Sequence, residues 1–349
     1  METKKTRLWL NPPHSPGEIE ERPAGYVGPD LDPEGLVLQP QELGPGVYAL
    51  MANQPPKDNN GLIVGSRTAL VVDAGINGAV ARQIQDIAAS KADRPLAYLV
   101  NTTYHGDHTF GNYAFPPEVV IISSVENQQS MGDLEQEKRN RSGNLRGTLA
   151  ATEDVTEWRL PDVVFEEFLT IDLGGRFVEL WHFGPGNGPG DVIVYVPDAK
   201  VAWTGNYLPA AGIPPMLLEG GPRPYIDSLR KMKATLDVEV VVPGHGPMGG
   251  GLESVDSLIE YLVHLDESVR SSFESGMDVE ATLAANPMPL GRLLPEASPL
   301  AAGMNPLIEN LHRLNVLATY RSLEKGPSDP HLERGRSLEP ELRAESSIE

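Results

Sequence analysis

Short apolar runs rich in β-branched residues, each bounded by Gly, Asn or Pro, mark the first part of the chain. Gly46–Met51, Gly61–Gly65 and Thr68–Asp73 read as successive strands of a mostly antiparallel sheet. Past Asp73-Ala74-Gly75 the period changes. Ala79, Ile84, Ile87 and Ala88 recur at helical spacing with Arg82, Gln85 and Asp86 opposite, which predicts a helix over 77–91 leading into a strand at 95–100. Val119–Ser123 predicts a buried strand and the polar stretch 125–150 further helix.

Beyond these, Phe165–Leu173 and Phe177–Phe183 form an expected hairpin around Gly174-Gly175, with strands following at 192–196 and 201–206. A helix over 222–235 then precedes a strand over 238–242. Each half supplies strands first and helices after, so each sheet needs helices on one face only. Residues 252–285 and 305–324 read as two more helices, the first with Leu258, Tyr261, Leu262 and Leu265 on one face. That face suits packing on the sheets and a homodimer contact equally. Four segments result: an extended arm at 1–40, a main domain at 41–250, a helical segment at 251–325 and a disordered tail at 326–349. The arm is dense in Pro, Gly and acidic residues, and Trp9, Leu10 and Tyr26 are the side chains able to anchor it as a lid.

Composition narrows the chemistry. With no cysteine among 349 residues, disulfides and thiolate nucleophiles are excluded, and a metal would need His, Asp, Glu or Asn ligands. A formal charge of −21 argues against a nucleic-acid partner. No apolar run approaches the ~20 residues that cross a bilayer, and the first residues lack an apolar signal core, so no membrane partner is expected and the location is read as cytoplasmic.

The densest chemistry is Asn101-Thr102-Thr103-Tyr104-His105-Gly106-Asp107-His108-Thr109-Phe110-Gly111-Asn112, on a loop at a strand's C-terminal end, where α/β proteins place reactive groups. Together with Val71-Val72-Asp73-Ala74-Gly75, the run Gly184–Asp191, Trp203-Thr204-Gly205-Asn206-Tyr207 and Pro243-Gly244-His245-Gly246-Pro247, it resembles in order the landmarks of the metallo-β-lactamase superfamily over about residues 45–250. The resemblance implies an α/β fold of four layers, an αββα sandwich of two mixed β-sheets with helices outside, and hydrolysis at one or two metals. It also implies that three metal ligands are replaced: Thr103 and Asn187 stand where the family has histidines, and Asn206 where it has the bridging aspartate. The family's first metal would be left with His105 alone, while Asp107, His108 and His245 would hold the second, with Asn206 as a weak amide ligand.

Two imidazoles and a carboxylate suit one divalent metal, zinc foremost and iron as the alternative. Zinc would lower the pKa of a water to near ~7. His105, released from ligation, and Asp107 are the expected catalytic residues. Thr103, Tyr104, Phe110, Asn187 and Tyr207 are expected to line the substrate pocket, with Leu208, Pro209 and Met216 after the Asn206 turn as further apolar walls, and Arg223 is the cation nearest the motifs. Asp73 is expected to orient the ligand loop, and His182 to be a core or edge residue. The expected function is hydrolysis of an ester, thioester or lactone of a small apolar molecule. Two other readings stay open: a metal-independent or iron-dependent cyclase, lyase or oxygenase, and a non-catalytic binding protein without a cofactor.

Overall fold

A computed structural model of the chain describes residues 21–210, 212–218, 221–289 and 299–325, with backbone alone at 299–305. The first sheet has seven strands in sequence order: β1 (Leu38–Gly44), β2 (Val47–Ala52), β3 (Asn60–Val64), β4 (Ala69–Val72), β5 (Leu96–Val100), β6 (Val120–Ser124) and β7 (Val163–Phe165). Its first three pairings are antiparallel; from β4 to β7 they are parallel, so the sheet is mixed rather than mostly antiparallel. The change comes at α1 (Gly78–Lys91), whose crossover carries the chain from β4 to a parallel β5. Asn77 caps this helix, accepting hydrogen bonds from the Ala79 and Val80 amides.

Strand β1 reaches back into the stretch read as an arm. Its sequence, Leu-Gln-Pro-Gln-Glu-Leu-Gly, carries a proline and polar side chains, which an edge strand tolerates because one side of its backbone forms no ladder. The short α2 (Gly106–Thr109) follows β5; α3 (Val125–Ser130) and α4 (Leu134–Ser142) lie between β6 and β7.

The second sheet has the order β13-β12-β11-β10-β9-β8, formed by β8 (Phe168–Asp172), β9 (Phe177–Trp181), β10 (Ile193–Val196), β11 (Val201–Gly205), β12 (Val240–Pro243) and β13 (Gly249–Gly250). Helices α5 (Pro222–Thr235), α6 (Glu253–Glu274), α7 (Val279–Ala285) and α8 (Pro299–Lys325) complete the chain. The span 252–285 is thus two helices, broken where Gly276 takes φ +81° and Asp278 caps the second.

Three apolar cores stack through the molecule. Val72, Val100 and Ile122 of the first sheet meet Leu180, Val194 and Trp203 of the second. Outside the first sheet lie Val80 and Ile84 of α1, and outside the second Leu229, Leu258 and Leu262 of α5 and α6. This is the expected αββα sandwich. Leu258, Tyr261, Leu262 and Leu265 are all buried against it, and Asp73, His108, Asn206 and His245, just past the C-terminal ends of β4, β5, β11 and β12, meet at one edge.

Candidate metal centre

The ligand loop is held from below by Asp73, just past β4. Its carboxylate accepts from the Thr102 amide and hydroxyl, both at 2.7 Å, and from His108 Nδ1 at 2.9 Å. Asp73 itself has φ +61°, a conformation that short polar side chains tolerate better than most. Two glycines let the backbones close in. A Cβ on Gly106 would stand 2.3 Å from the Phe110 ring, and one on Gly205, at φ +47°, 2.2 Å from Thr102 Oγ1.

With its Nδ1 proton on Asp73, His108 points Nε2 to the centre. His245 is fixed the same way from the other sheet: its Nδ1 lies 3.0 Å from both the Pro56 carbonyl and Asp58 Oδ1. Asn59 ties that loop to the His245 turn, donating to the Pro243 and Gly246 carbonyls at 2.9 and 2.8 Å. The two Nε2 atoms face each other at 3.4 Å, with Asp107 Oδ2 3.8 Å from one and 3.7 Å from the other. Ligand atoms ~2.0–2.1 Å from a tetrahedral metal are about 3.3–3.4 Å apart, so the triangle is close to that of three ligands on one ion. Asp107 Oδ1 is buried with no hydrogen-bond partner among the described residues, as a carboxylate awaiting a cation would be.

Asp58, Asp107, His108 and His245 form a four-residue group able to hold a metal ion, all within 4.8 Å. Asp58 faces Nδ1 of His245, the atom turned from the centre, so we assign it the orienting role that Asp73 has for His108. Burial, then the Asp107 charge, pushes the Asp58 carboxyl up to about 6. Burial would also raise Asp107, but the charges of His108 and His245 outweigh it and hold the carboxyl well below its ordinary value. Burial would lower His108; Asp73 and Asp107 overcome it and raise the ring to about 10. This is an electrostatic hole shaped for positive charge.

Two of the three positions read as substituted are engaged elsewhere. Asn206 Nδ2 lies 2.8 Å from His105 Nδ1, and its Oδ1 2.9 Å from His245 Nε2, so its amide spans the gap between the rings. Asn187 donates to the Met216 carbonyl, and Thr103 is fully buried with its hydroxyl lacking a hydrogen-bond partner among the described residues. Burial, then the Arg141 charge, holds the His105 ring well below the usual histidine value and hence neutral. Accepting from Asn206 at Nδ1, it carries its proton on Nε2.

Beside the triangle opens a cleft bordered by His105, Asp107, Asn206 and His245. Of the residues read as pocket lining, Asn187 borders it; Thr103, Tyr104, Phe110 and Tyr207 are buried in the packing beneath. Tyr207 donates to the Gly184 carbonyl and Phe110 packs edge-on to Trp158. Of the apolar walls expected after the Asn206 turn, Pro209 and Met216 border the cleft and Leu208 does not; the rest of the wall comes from segments without a motif: Leu31 of the arm, Ile213 of the 212–218 loop, and Leu307 and Leu311 of α8. Trp9 and Leu10 lie outside the described residues, and of the arm it is Pro29 and Leu31 that reach the cleft. Arg223 pairs with Asp266 at 2.8 Å, away from the cleft; the cation that borders it is Arg141. His182 bonds at Nδ1 to the Asp191 carbonyl, 2.9 Å, a satisfied edge residue. Asp58 follows two prolines in a polar turn, and Arg141 sits in a polar helix of faint amphipathicity, so neither had a pattern that could flag it.

The Metallo-beta-lactamase superfamily model matches residues 57–245, more than half of the chain. A linear primary-alkylsulfatase from Pseudomonas sp. (strain ATCC 19151) is 24% identical over 223 residues, covering 54% of this chain and 42% of that one. The stereoselective inverting sec-alkylsulfatase Pisa1 from Pseudomonas sp. has a similar fold: TM-score 0.60, 13% identity, 82% of this chain and 50% of that one. A double mutant of the same sulfatase gives TM-score 0.62 at 13% identity, over 84% and 51%. The chain spans about half the length, or less, of these relatives.

Proposed function

The chain belongs to the metallo-β-lactamase superfamily, and from that premise we propose that it is a single-metal hydrolase acting on an ester-type bond of a small apolar molecule. The observation that carries this reading is the triangle of His108 Nε2, His245 Nε2 and Asp107 Oδ2, 3.4–3.8 Å on a side, at the floor of an aliphatic-walled cleft. A divalent cation held there would supply Lewis acidity toward an ester oxygen and lower the pKa of a water molecule. Zinc is the ion proposed for this N,N,O set, with iron the alternative.

The chain's own residues divide the remaining work. Asp73 on His108, and the Pro56 carbonyl with Asp58 on His245, hold each Nδ1 outward, so that each Nε2 faces the centre and is the atom that would yield its proton to a metal. Asn206 fixes the ring of His105. Neutral His105 stands at the cleft floor able to give or take a proton, and we retain it with Asp107 as the catalytic pair. The wall from Leu31, Ile213, Met216, Leu307 and Leu311 excludes water and takes an alkyl or acyl chain. An open cleft beside the triangle supports a catalytic over a purely binding role.

The bond class is tested by loading chelator-treated protein with one equivalent of zinc, manganese or ferrous iron. It is then assayed on p-nitrophenyl octanoate, an octanoyl thioester, a medium-chain lactone and octyl sulfate, the last prompted by the alkylsulfatase similarity. Metal-dependent turnover of at least one, lost in His245→Ala, is expected; the same rate on every substrate with and without metal would overturn the reading.

A further inference from the structure

One part of the cleft wall belongs to a segment that grips the body differently from the rest. Pro29 and Leu31 border the cleft, on a stretch bracketed by Gly25 at φ +73° and Gly35 at φ +71°. Left-handed backbone of this kind favours glycine, and it puts at each end of the stretch a residue that tolerates a large change of φ and ψ. Between the two glycines Leu31 is the one buried side chain, 5% exposed. Past Gly35 the chain is held firmly. Val37 both donates to and accepts from Asn53, and Gln83 of α1 bonds to the Leu38 amide and the Leu36 carbonyl.

The stretch itself is fastened by surface charge around that one anchor. Arg146, on the turn after α4, meets Asp30 Oδ2 through Nε and Nη2 at 3.1 and 3.0 Å, and Glu34 Oε2 through Nη1 at 2.8 Å. Asp32 Oδ1 stands 3.9 Å from the same guanidinium. Arg146 and Asp30 are each 48% exposed and Glu34 80%, and exposed pairs are individually weak and screened by salt. The Leu31 amide adds a bond to the Asn144 carbonyl at 2.8 Å, and the Asn144 side chain one to the Pro29 carbonyl at 3.1 Å. Lys57 holds the Glu34 carbonyl at 2.9 Å, beside Gly35. One apolar anchor, exposed ionic ties and a glycine at each end place this segment at the low-stability end of the fold, from which lids are drawn.

We propose that residues 26–34 are a hinged strap, latched by Arg146, which opens to admit a ligand and closes Leu31 against its apolar part. Leu31 then limits how bulky a ligand the closed cleft holds, because its side chain completes a wall whose other aliphatic members, Ile213, Met216, Leu307 and Leu311, come from the 212–218 loop and α8. The assignment deepens, and rests on, the proposal that this cleft holds the substrate. Entry is governed by the latch and fit by Leu31.

Opening is read by hydrogen–deuterium exchange on the full chain, at the segment that carries the Leu31 amide. That segment is expected to exchange faster than β5, and at least roughly threefold faster still in about 1 M than in about 0.05 M sodium chloride, with α1 as the internal reference. Arg146→Gln should give the same gain at low salt and leave little response to salt. Asp30→Asn combined with Glu34→Gln removes the latch from the strap's own side; it should reproduce the effect, and it carries the test should Arg146→Gln fail to fold by circular dichroism. The part played by Leu31 is read by calorimetry with two neutral probes, 1-octanol and 1-adamantanol. Leu31→Ala should shift the ratio of their affinities at least roughly fivefold toward the bulkier one. Exchange at Leu31 as slow as in β5, or unmoved by salt and by both variants, would overturn the strap. An unchanged affinity ratio, or no binding of either alcohol, would overturn the role of Leu31. Neither readout involves turnover, so the proposed hydrolysis stands or falls separately: a responsive strap on a chain that hydrolyses nothing sinks only the hydrolase, and metal-dependent turnover beneath an unresponsive strap sinks only this proposal.

Discussion

Asp73→Asn should impair metal binding while leaving the fold in place. The wild-type carboxylate accepts three hydrogen bonds, from the Thr102 amide and hydroxyl and from His108 Nδ1. Asparagine has one accepting oxygen and one donating NH₂. If the oxygen keeps the Thr102 amide, the NH₂ faces the Thr102 hydroxyl, which can turn to accept, and His108 Nδ1, which cannot accept while it bears a proton. The imidazole must then move its proton to Nε2, the atom that faces Asp107 and His245. The left-handed backbone at residue 73 suits asparagine as well as aspartate, so the change acts through the tautomer and not through φ. Loss of such an orienting carboxylate costs about 10- to 100-fold in affinity, or roughly 1.4–2.7 kcal/mol.

The assay is competition for zinc against a chromophoric chelator, with circular dichroism as the fold control. A dissociation constant within twofold of wild type would refute the orienting role. Asp58→Asn should cost less, because the Pro56 carbonyl also accepts from His245 Nδ1. A pH signature accompanies the first change. In metal-free protein His108 is raised from 6.5 to about 10, mainly by Asp73 and Asp107 against the opposing effect of burial. A group whose pKa is raised on folding contributes stability that is fully present below 6.5 and is lost as pH climbs through about 10. Removing the Asp73 charge should flatten that loss.

The remaining predictions concern the wall and the altered ligands. Asn315 accepts from the Leu217 amide at 2.8 Å and donates to the Pro215 carbonyl at 2.8 Å, clamping the loop that carries Ile213 and Met216. Asn315→Leu strands both buried groups and should destabilise by about 2–5 kcal/mol in urea denaturation, with KM rising more than kcat falls; a change under ~0.5 kcal/mol would contradict the clamp. Installing Thr103→His, Asn187→His and Asn206→Asp together should raise bound metal toward two per chain by elemental analysis. No increase would count against the positions assigned to the missing site.

Much of the architecture could be read from periodicity. The helix over 222–235 and the strands around 46–73 follow from patterns with few competing interpretations, and Pro222 opens that helix at its first turn. Strand β1 could not be read, because an edge strand needs only one paired side and Leu38–Gly44 lacks apolar alternation. At the centre, the pattern exposed His105, Asp107 and His108 because three ligand-type residues fall within four positions. Asp58 reaches His245 across 187 residues of chain, and Arg141 reaches the cleft through Glu137 and Gly106. Such contacts are made by tertiary folding and leave no local spacing to detect. Tyr104, Phe110 and Tyr207 show the converse: they neighbour a motif along the chain yet pack beneath the cleft, and apart from Pro209 and Met216 its apolar wall comes from the arm, Ile213 and α8, which no motif marks.

The account turns on one metal at Asp107, His108 and His245, so its most direct test is metal content per chain. Protein purified without chelator and analysed by inductively coupled plasma mass spectrometry should hold close to one equivalent of zinc, iron or manganese, falling below a tenth in His245→Ala. Two equivalents, or well under half an equivalent with no change in melting temperature on adding metal, would contradict it.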